Sequence, residues 1–418
     1  KASNVIVVLR NQHTNLSLTR GSKSSPRTNA YRTDQAPVIA KAKNDGAKNL
    51  HGFSTVNAVA ATVTPAQAQS LAADPAVAAV YPDLPIKGAP TVAESPTSSA
   101  SGSPTADVRS GAICPTDPSK PLLEPEALQI TNTAFTDSST PQAQSIVTGA
   151  GVKVAFIADG VDIDNPDFVR SDGSHVFIDY QDFSGEGPNA PSDAAEAFGD
   201  ASAIAAQGLH TYDLSTFVNP AHPLPSGCTI QIRGMAPGAS LIGLKVFGNA
   251  NVAPTSRFIE AIDYAVTAGA DVLNESFGGN PYPDSGTDPI TLADASAIAA
   301  GVTVVASTGD AGPNGTVGSP ASDDIGIIGV AASTQFRSYL QTTYAGAQLA
   351  TGTSWVDNNM SGLSSGGISQ SGRTPDLTAP GDLGWALCTP NTAIYTGCTS
   401  DGGQPSSIQD FRGTSQSS

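Results

Sequence analysis

Residues 241–277 read LIGLKVFGNANVAPTSRFIEAIDYAVTAGADVLNESF, and the reading of this stretch decides the fold. Leu241–Phe247 is a nearly unbroken apolar run of strand length, as expected of a strand covered on both faces. Ser256–Ala268 repeats its apolar residues at helical spacing, and Asp271–Phe277 is a second strand-length run. The alternation continues outward: a strand at Val152–Ile157, a helix around Ala194–Gln207, a helix at Leu292–Ala300 and a strand at Val302–Ser307. Strands and helices in alternation predict an α/β fold with a doubly wound, mostly parallel sheet over residues 123–418. In such sheets the working residues gather at the carboxyl ends of the strands.

The first 87 residues differ in kind. An apolar strand at Asn4–Leu9, an apolar stretch from Phe53 to Val63, a helix after Thr64-Pro65 and a strand at Val77–Val80 predict a small α+β unit. Residues 88–122 are rich in Pro, Ser, Thr, Ala and Gly without apolar period, and read as an exposed linker open to processing. Residues 1–87 carry ten Lys/Arg against four Asp/Glu, whereas the chain as a whole has a net charge of −17. A basic unit facing an acidic body attracts it at neutral pH, which suggests release on acidification. The acidic body argues against a nucleic-acid partner.

No apolar run reaches the ~18 residues of a membrane span, and the start at Lys1 shows no leader pattern, so an exported chain is expected to have lost its signal already. Four cysteines, Cys114, Cys228, Cys388 and Cys398, suit one or two disulfides outside the cell, with Cys388–Cys398 the favoured pair.

Five motifs carry chemistry. They are Gly234-Met-Ala-Pro-Gly-Ala-Ser-Leu-Ile-Gly-Leu-Lys-Val246, Ser276-Phe277-Gly278-Gly279, Ala306-Ser-Thr-Gly-Asp310-Ala-Gly312, Asp376-Leu-Thr-Ala-Pro-Gly381 and Gly413-Thr-Ser415-Gln-Ser417. A single Gly-Thr-Ser occurs in many loops; the ordered set resembles the subtilisin-like serine peptidases. Residues 1–87 are similar to the inhibitor-type propeptide of the same superfamily. The resemblance implies that Ser415 is the nucleophile, that Ser276, Phe277, Gly278 and Gly279 form the strand that pairs with substrate backbone, and that Asp310 lies at the oxyanion site.

Three departures from the subtilisin pattern coincide. The position of the expected catalytic aspartate holds Ala158, with Asp159 one place late, and one residue on a strand reverses the side chain. The position of the expected histidine base holds Glu196, four residues before Asp200, which places both carboxylates on one helix face. An asparagine expected at the oxyanion site is Asp310, which donates a hydrogen bond only when protonated. His210 lies fourteen residues after Glu196, and His175 and His222 fall in polar or Pro-rich segments. A solvated acidic helix face is the plain alternative for the Glu196/Asp200 pair, yet no Lys or Arg lies between Arg170 and Arg233 to offset it.

Glu-x-x-x-Asp on one helix with Asp at the oxyanion position resembles the sedolisins, or serine-carboxyl peptidases. That resemblance implies a peptide or protein substrate, an acyl-enzyme, Glu196 as base oriented by Asp200, and an optimum near pH 3–5 from ordinary carboxyl values; Asp159 either extends the carboxylate network as an extra acid or, if the strand bulges, is itself the orienting acid. No cofactor or metal ligand set is expected in the chain; the sedolisin resemblance allows a structural calcium site beyond the C-terminal end at Ser418, where the superfamily continues into a helix. The unit 1–87 is expected to inhibit the body in the precursor, with Tyr81–Pro85 leading its tail into the cleft. Two rivals stand beside this reading: a neutral Asp-His-Ser peptidase using Asp159 and a histidine, and a catalytically inactive homologue that binds. A nucleotide-binding domain is a third, but no Gly-rich phosphate loop follows the first strand.

Overall fold

The computed structural model describes residues 1–88, 113–136, 138–188, 191–221, 223–278, 288–312, 314–318, 320, 326–342, 357–369 and 372–418. Gly279, His222 and most of the 88–122 linker lie outside the described residues.

The N-terminal unit runs β1 (Ser3–Leu9), α1 (Pro26–Asn44), β2 (Lys48–Gly52), β3 (Ala58–Val63), α2 (Pro65–Ala72) and β4 (Val77–Pro82), followed by the short strand β5 (Pro85–Lys87). Its sheet order is β2-β3-β1-β4. The apolar run in β1 is buried on both faces, for different reasons. Val5, Val7 and Leu9 pack with Val38 and Ala42 of α1 in the unit's own core, whereas Ile6 and Val8 join a core shared with the body. Helix α1 escaped the sequence reading because it is polar and carries Pro37 inside it; Ser25 caps it by accepting from the Thr28 N–H at 3.2 Å.

The body contains β6 (Leu122–Glu124), α3 (Ala127–Ile130), β7 (Lys153–Ala158), β8 (Phe177–Asp182), α4 (Glu196–Ala205), β9 (Tyr212–Asp213), β10 (Thr229–Ile232), β11 (Ser240–Lys245), β12 (Val252–Pro254), α5 (Thr255–Ala268), β13 (Val272–Glu275), α6 (Pro289–Ala299), β14 (Thr303–Ser307), β15 (Ile328–Thr334), α7 (Arg337–Thr342), β16 (Leu377–Asp382), β17 (Gly384–Leu387), β18 (Ile408–Phe411) and α8 (Thr414–Ser417). Seven strands form one parallel sheet in the order β16-β15-β14-β13-β7-β11-β8. The expected doubly wound α/β fold, preceded by an α+β domain, is what the chain forms.

Alternation along β7 divides the two layers. Ala155 and Ile157 face the side of α5 and α6, and Val154, Phe156 and Ala158 face the side of α4. The α5/α6 layer supplies Phe258, Ile259, Ile262, Ile290 and Ala293 to the core that the N-terminal unit completes. Both disulfides form: Cys114–Cys228 ties residues just before β6 to the body, and Cys388–Cys398 closes a loop after β17. The end of the expected linker is therefore attached to the body.

Candidate active site

Strand β7 ends at Ala158, so Asp159 sits just past the last residue whose direction the pleat dictates. Its carboxylate turns to α4 and accepts from the Ala197 N–H at 2.8 Å. Ala195, at the cap position, offers no side-chain bond, so Asp159 satisfies one of the free amides of the helix start. Burial pushes Asp159 up to about 8 despite that bond.

Helix α4 presents Glu196 in its first turn and Asp200 one turn on. The Glu196 carboxylate lies beside the Ser415 hydroxyl, with Oε1 buried and without a hydrogen-bond partner among the described residues; burial is the main cause of its raised pKa, with the Ser415 hydroxyl opposing and Asp159 and Asp310 adding repulsion. Asp200 is 2 % exposed and is raised well above the ordinary range, by burial first and by Glu196 second, with the Ser276 hydroxyl opposing. Glu196 is half-buried while Asp200 is enclosed. Of two close carboxyls the more enclosed keeps the proton, so the pair at neutral pH is Asp200 protonated and Glu196 the first to ionise.

Asp310 follows β14 at its carboxyl end. Its Oδ1 accepts from the Thr414 N–H at 2.8 Å and the Thr414 hydroxyl at 2.9 Å. Its side chain opens to the cleft, and the protein crowded around its carboxyl group raises it, against Thr414 and Arg412. Gly413 is required on two counts: its φ is 129°, and a Cβ there would stand 2.7 Å from Asp310 Oδ2. Ser276, at the end of β13, accepts from Asn274 Nδ2 at 2.9 Å and lies 3.5 Å from the Ser415 carbonyl. Phe277 is buried and Gly278 exposed.

The structure thus gathers Ser415, Glu196, Asp200, Asp310, Asp159 and Ser276 around one point. It does not gather the histidines. His210 Nδ1 sits 3.0 Å from Asp167 Oδ1, in a loop held by the Leu209 and His210 N–H groups on the same carboxylate. His175 is exposed beside Asp164 at 3.7 Å. Among the described residues no group of three or more His, Cys, Asp or Glu side chains is arranged to hold a metal ion.

One element of the cleft escaped the sequence reading. β12 pairs antiparallel with β5, registering Ala253 with Ile86, and the Gly88 N–H donates to the Asn251 carbonyl at 3.0 Å. The tail of the N-terminal unit therefore lies along the body as an added strand. Asp83 prepares that approach by accepting from the Ser256 N–H and hydroxyl, both at 2.8 Å, at the start of α5. Val252–Pro254 is too short and too Pro-bounded to read as a strand by pattern.

Comparison with known proteins agrees with this arrangement. The subtilase family model (Peptidase S8) matches residues 149–418, and the peptidase inhibitor I9 model matches residues 4–88. The minor extracellular protease Vpr of Bacillus subtilis is 35% identical over 175 residues, 41% of this chain and 19% of that protein. Subtilisin E of Bacillus subtilis is 32% identical over 211 residues, 48% of this chain and 46% of that protein. These matches thus span less than half the length of either relative. Fervidolysin from Fervidobacterium pennivorans, a keratinolytic enzyme related to subtilisin, matches at a TM-score of 0.56 and 18% identity over 100% of this chain and 53% of that one, a likeness of fold. On the match over residues 149–418, preceded by an inhibitor I9 domain, the chain belongs to the subtilase family.

Proposed function

We propose that the chain is the precursor of a secreted serine endopeptidase that cleaves peptide bonds with a carboxylate base. The observation that carries this reading is the placement of the Glu196 carboxylate beside the Ser415 hydroxyl, with each described histidine of the body engaged elsewhere. Ser415 Oγ attacks the scissile carbonyl carbon as its proton passes to Glu196, and the C–O bond forms. The negative charge that develops on the carbonyl oxygen is met by a hydrogen bond from protonated Asp310. Collapse breaks the C–N bond, Glu196 returns its proton to the leaving amine, and water repeats the sequence on the acyl ester. Asp200 and Asp159 orient Glu196 and limit the charge it can carry.

The protonation states set the working pH. Activity needs Glu196 ionised and Asp310 protonated; burial raises both, so both limbs lie above the pH 3–5 window that ordinary carboxyl values give. Residues 1–87 act as the inhibitor, residues 88–122 as the segment cut on maturation, and residues 123–418 as the peptidase domain. The two disulfides and the extracellular relative support export.

The test is peptide hydrolysis by the full-length chain from pH 3 to 9. Ser415→Ala is expected to abolish it, and Glu196→Gln, which keeps the shape but not the basicity, to lower kcat by ~10²–10⁴-fold. Activity that survives Glu196→Gln would return the protein to a histidine mechanism, and no activity at any pH would favour an inactive binding homologue.

A further inference from the structure

The connection between β1 and α1, from Arg10 to Ser25, has no strand or helix of its own and is long for a link inside so small a unit. It is nevertheless held in shape. Helix α1 braces it from behind: the buried Arg27 donates from Nε to the Leu16 carbonyl at 2.8 Å and from Nη2 to the Thr14 carbonyl at 3.0 Å, and the Tyr31 hydroxyl donates to the Gln12 carbonyl at 2.9 Å. Arg32 holds the later part through the Lys23 carbonyl at 2.7 Å. Polar residues that conceal α1 from an apolar pattern thus direct their hydrogen bonds to this loop.

A loop fixed from behind can present a surface, and this one turns three residues to the body. Leu18 joins the core shared with α5 and α6. The Gly21 N–H donates to the Val266 carbonyl at 2.8 Å, in the last turn of α5. The two backbones approach so closely because Gly269, the left-handed cap of α5 at φ 81°, has no side chain: a Cβ there would stand 3.4 Å from Gly21 Cα. Arg20 Nη1 pairs with Asp271 Oδ1 at 2.8 Å, donates to the Gly301 carbonyl at 3.1 Å and lies 3.5 Å from the Ala270 carbonyl. Ala270 follows the end of α5 and Gly301 the end of α6, so one guanidinium faces the carbonyl ends of both helices, where their dipoles favour a cation.

This contact is far from the cleft. Asp271 Oδ2 accepts from the Lys153 N–H at 2.8 Å, and the Asp271 carbonyl accepts from the Thr303 N–H at 2.9 Å, so the amino ends of β7, β13 and β14 meet at the residue that Arg20 engages. Ser276 and Asp310 lie past the carboxyl ends of β13 and β14. The tail works at that other end, with Asp83 on the first turn of α5 and the Gly88 N–H on the Asn251 carbonyl at 3.0 Å. One unit therefore grips α5 at both ends, with an acid at its amino end and a cation at its carbonyl end.

We propose that the loop from Arg10 to Ser25, through Leu18, Arg20 and Gly21, is a second docking element that holds the N-terminal unit on the body when its tail has left the cleft. This deepens the reading of residues 1–87 as the inhibitor: opening the cleft and losing the inhibitor become separate steps. The test is amide exchange in full-length Ser415→Ala at pH 7.5, read at Gly21 for the loop and at Gly88 for the tail. Asp83→Ala, which removes the acceptor at the start of α5, is expected to speed exchange at Gly88 by ~10-fold and to leave Gly21 at its rate in Ser415→Ala. Arg20→Met is expected to speed exchange at Gly21 by ~10-fold, with the amides of β1 inside the unit unchanged. Gly21 loosened together with Gly88 in Asp83→Ala would overturn the proposal, because loop and tail would then leave as one. So would Gly21 that stays protected in Arg20→Met, or that loses protection only in step with β1, because Arg20 would then hold nothing beyond the fold of the unit. Hydrolysis plays no part in this readout, so failure of the peptidase reading and failure of the second docking element are separate results.

Discussion

Asp310 is the residue at which the two mechanisms diverge, because an amide donates at any pH and a carboxyl group only below its pKa. Its Oδ1 is occupied by Thr414, so in the proposed mechanism Oδ2 carries the proton that meets the oxyanion. Asp310→Asn is expected to keep hydrolysis within ~10-fold of the parent and to move the alkaline limb of the pH–rate profile upward, since the donor no longer titrates. Asp310→Ala removes the donor and is expected to cost ~10²–10³ in kcat. An alkaline limb that stays in place in Asp310→Asn would assign it to another group. The acid limb, which the proposed mechanism assigns to the Glu196/Asp200 pair, is expected to be the same in both variants.

At the scale of elements, the site depends on how closely α4 approaches the strand that leads into α8. A Cβ on Gly199 would overlap the Phe411 ring, so this glycine is the groove that admits Phe411 between Glu196 and Asp200. Gly199→Ala is expected to destabilise the chain by about 1–3 kcal/mol and to lower kcat as α4 is pushed from α8, read by urea unfolding and hydrolysis together; an unchanged midpoint would mean the ring turns aside. The segment that precedes the first central strand depends on charge instead. Burial pushes Glu124 up to about 6 in spite of the Arg337 guanidinium beside it. Arg337→Met leaves that carboxylate buried and unpaired, and is expected to cost about 3–5 kcal/mol near pH 7.5. The loss is expected to shrink toward pH 5, where Glu124 takes a proton; a cost independent of pH would point to lost packing.

Over the whole molecule, docking of residues 1–87 runs against the simplest charge argument. The ion pair Arg20–Asp271 at 2.8 Å does cross the interface. The interface also encloses carboxylates: Asp83 at the start of α5, Asp263, which accepts from the Ser54 and Thr55 N–H groups at 2.6 Å each, and Glu260, 4.0 Å from His51. Lys23, Arg32, Arg257 and Tyr264 line the same region. Burial raises Asp83 and Glu260 and pushes Asp263 up to about 6. Acids raised on docking bind protons as the units join, so docking strengthens while pH falls through the raised values toward the ordinary carboxyl range, by ~10-fold for each unit of rise. In full-length Ser415→Ala, amides of β5 and the first turn of α5 are expected to exchange more slowly at pH 5.5 than at 7.5 after correction for intrinsic rates, with the difference reduced in Asp263→Asn. Faster exchange at pH 5.5 would restore release by acidification.

The fold was legible because long apolar runs at periods of 2 and 3.6 identify buried strands and helices without reference to anything distant. Leu241–Phe247, Ser256–Ala268 and Val302–Ser307 are each within a few residues of an observed element. Polar α1, short β12 and strands β15–β18, set among loops, left no such period. Within the site, the i, i+4 spacing put Glu196 and Asp200 on one helix face, and the ordered motifs singled out Asp310 and Ser415. What the local sequence could not supply was proximity. The turn of Asp159 onto α4 and the seating of β5 along β12 join residues 38 and 167 positions apart, Asp159 with Ala197 and Ile86 with Ala253. Such contacts, and the burial that shifts every carboxyl in the site, come from packing of the whole chain, because desolvation depends on what the rest of the fold places around a group.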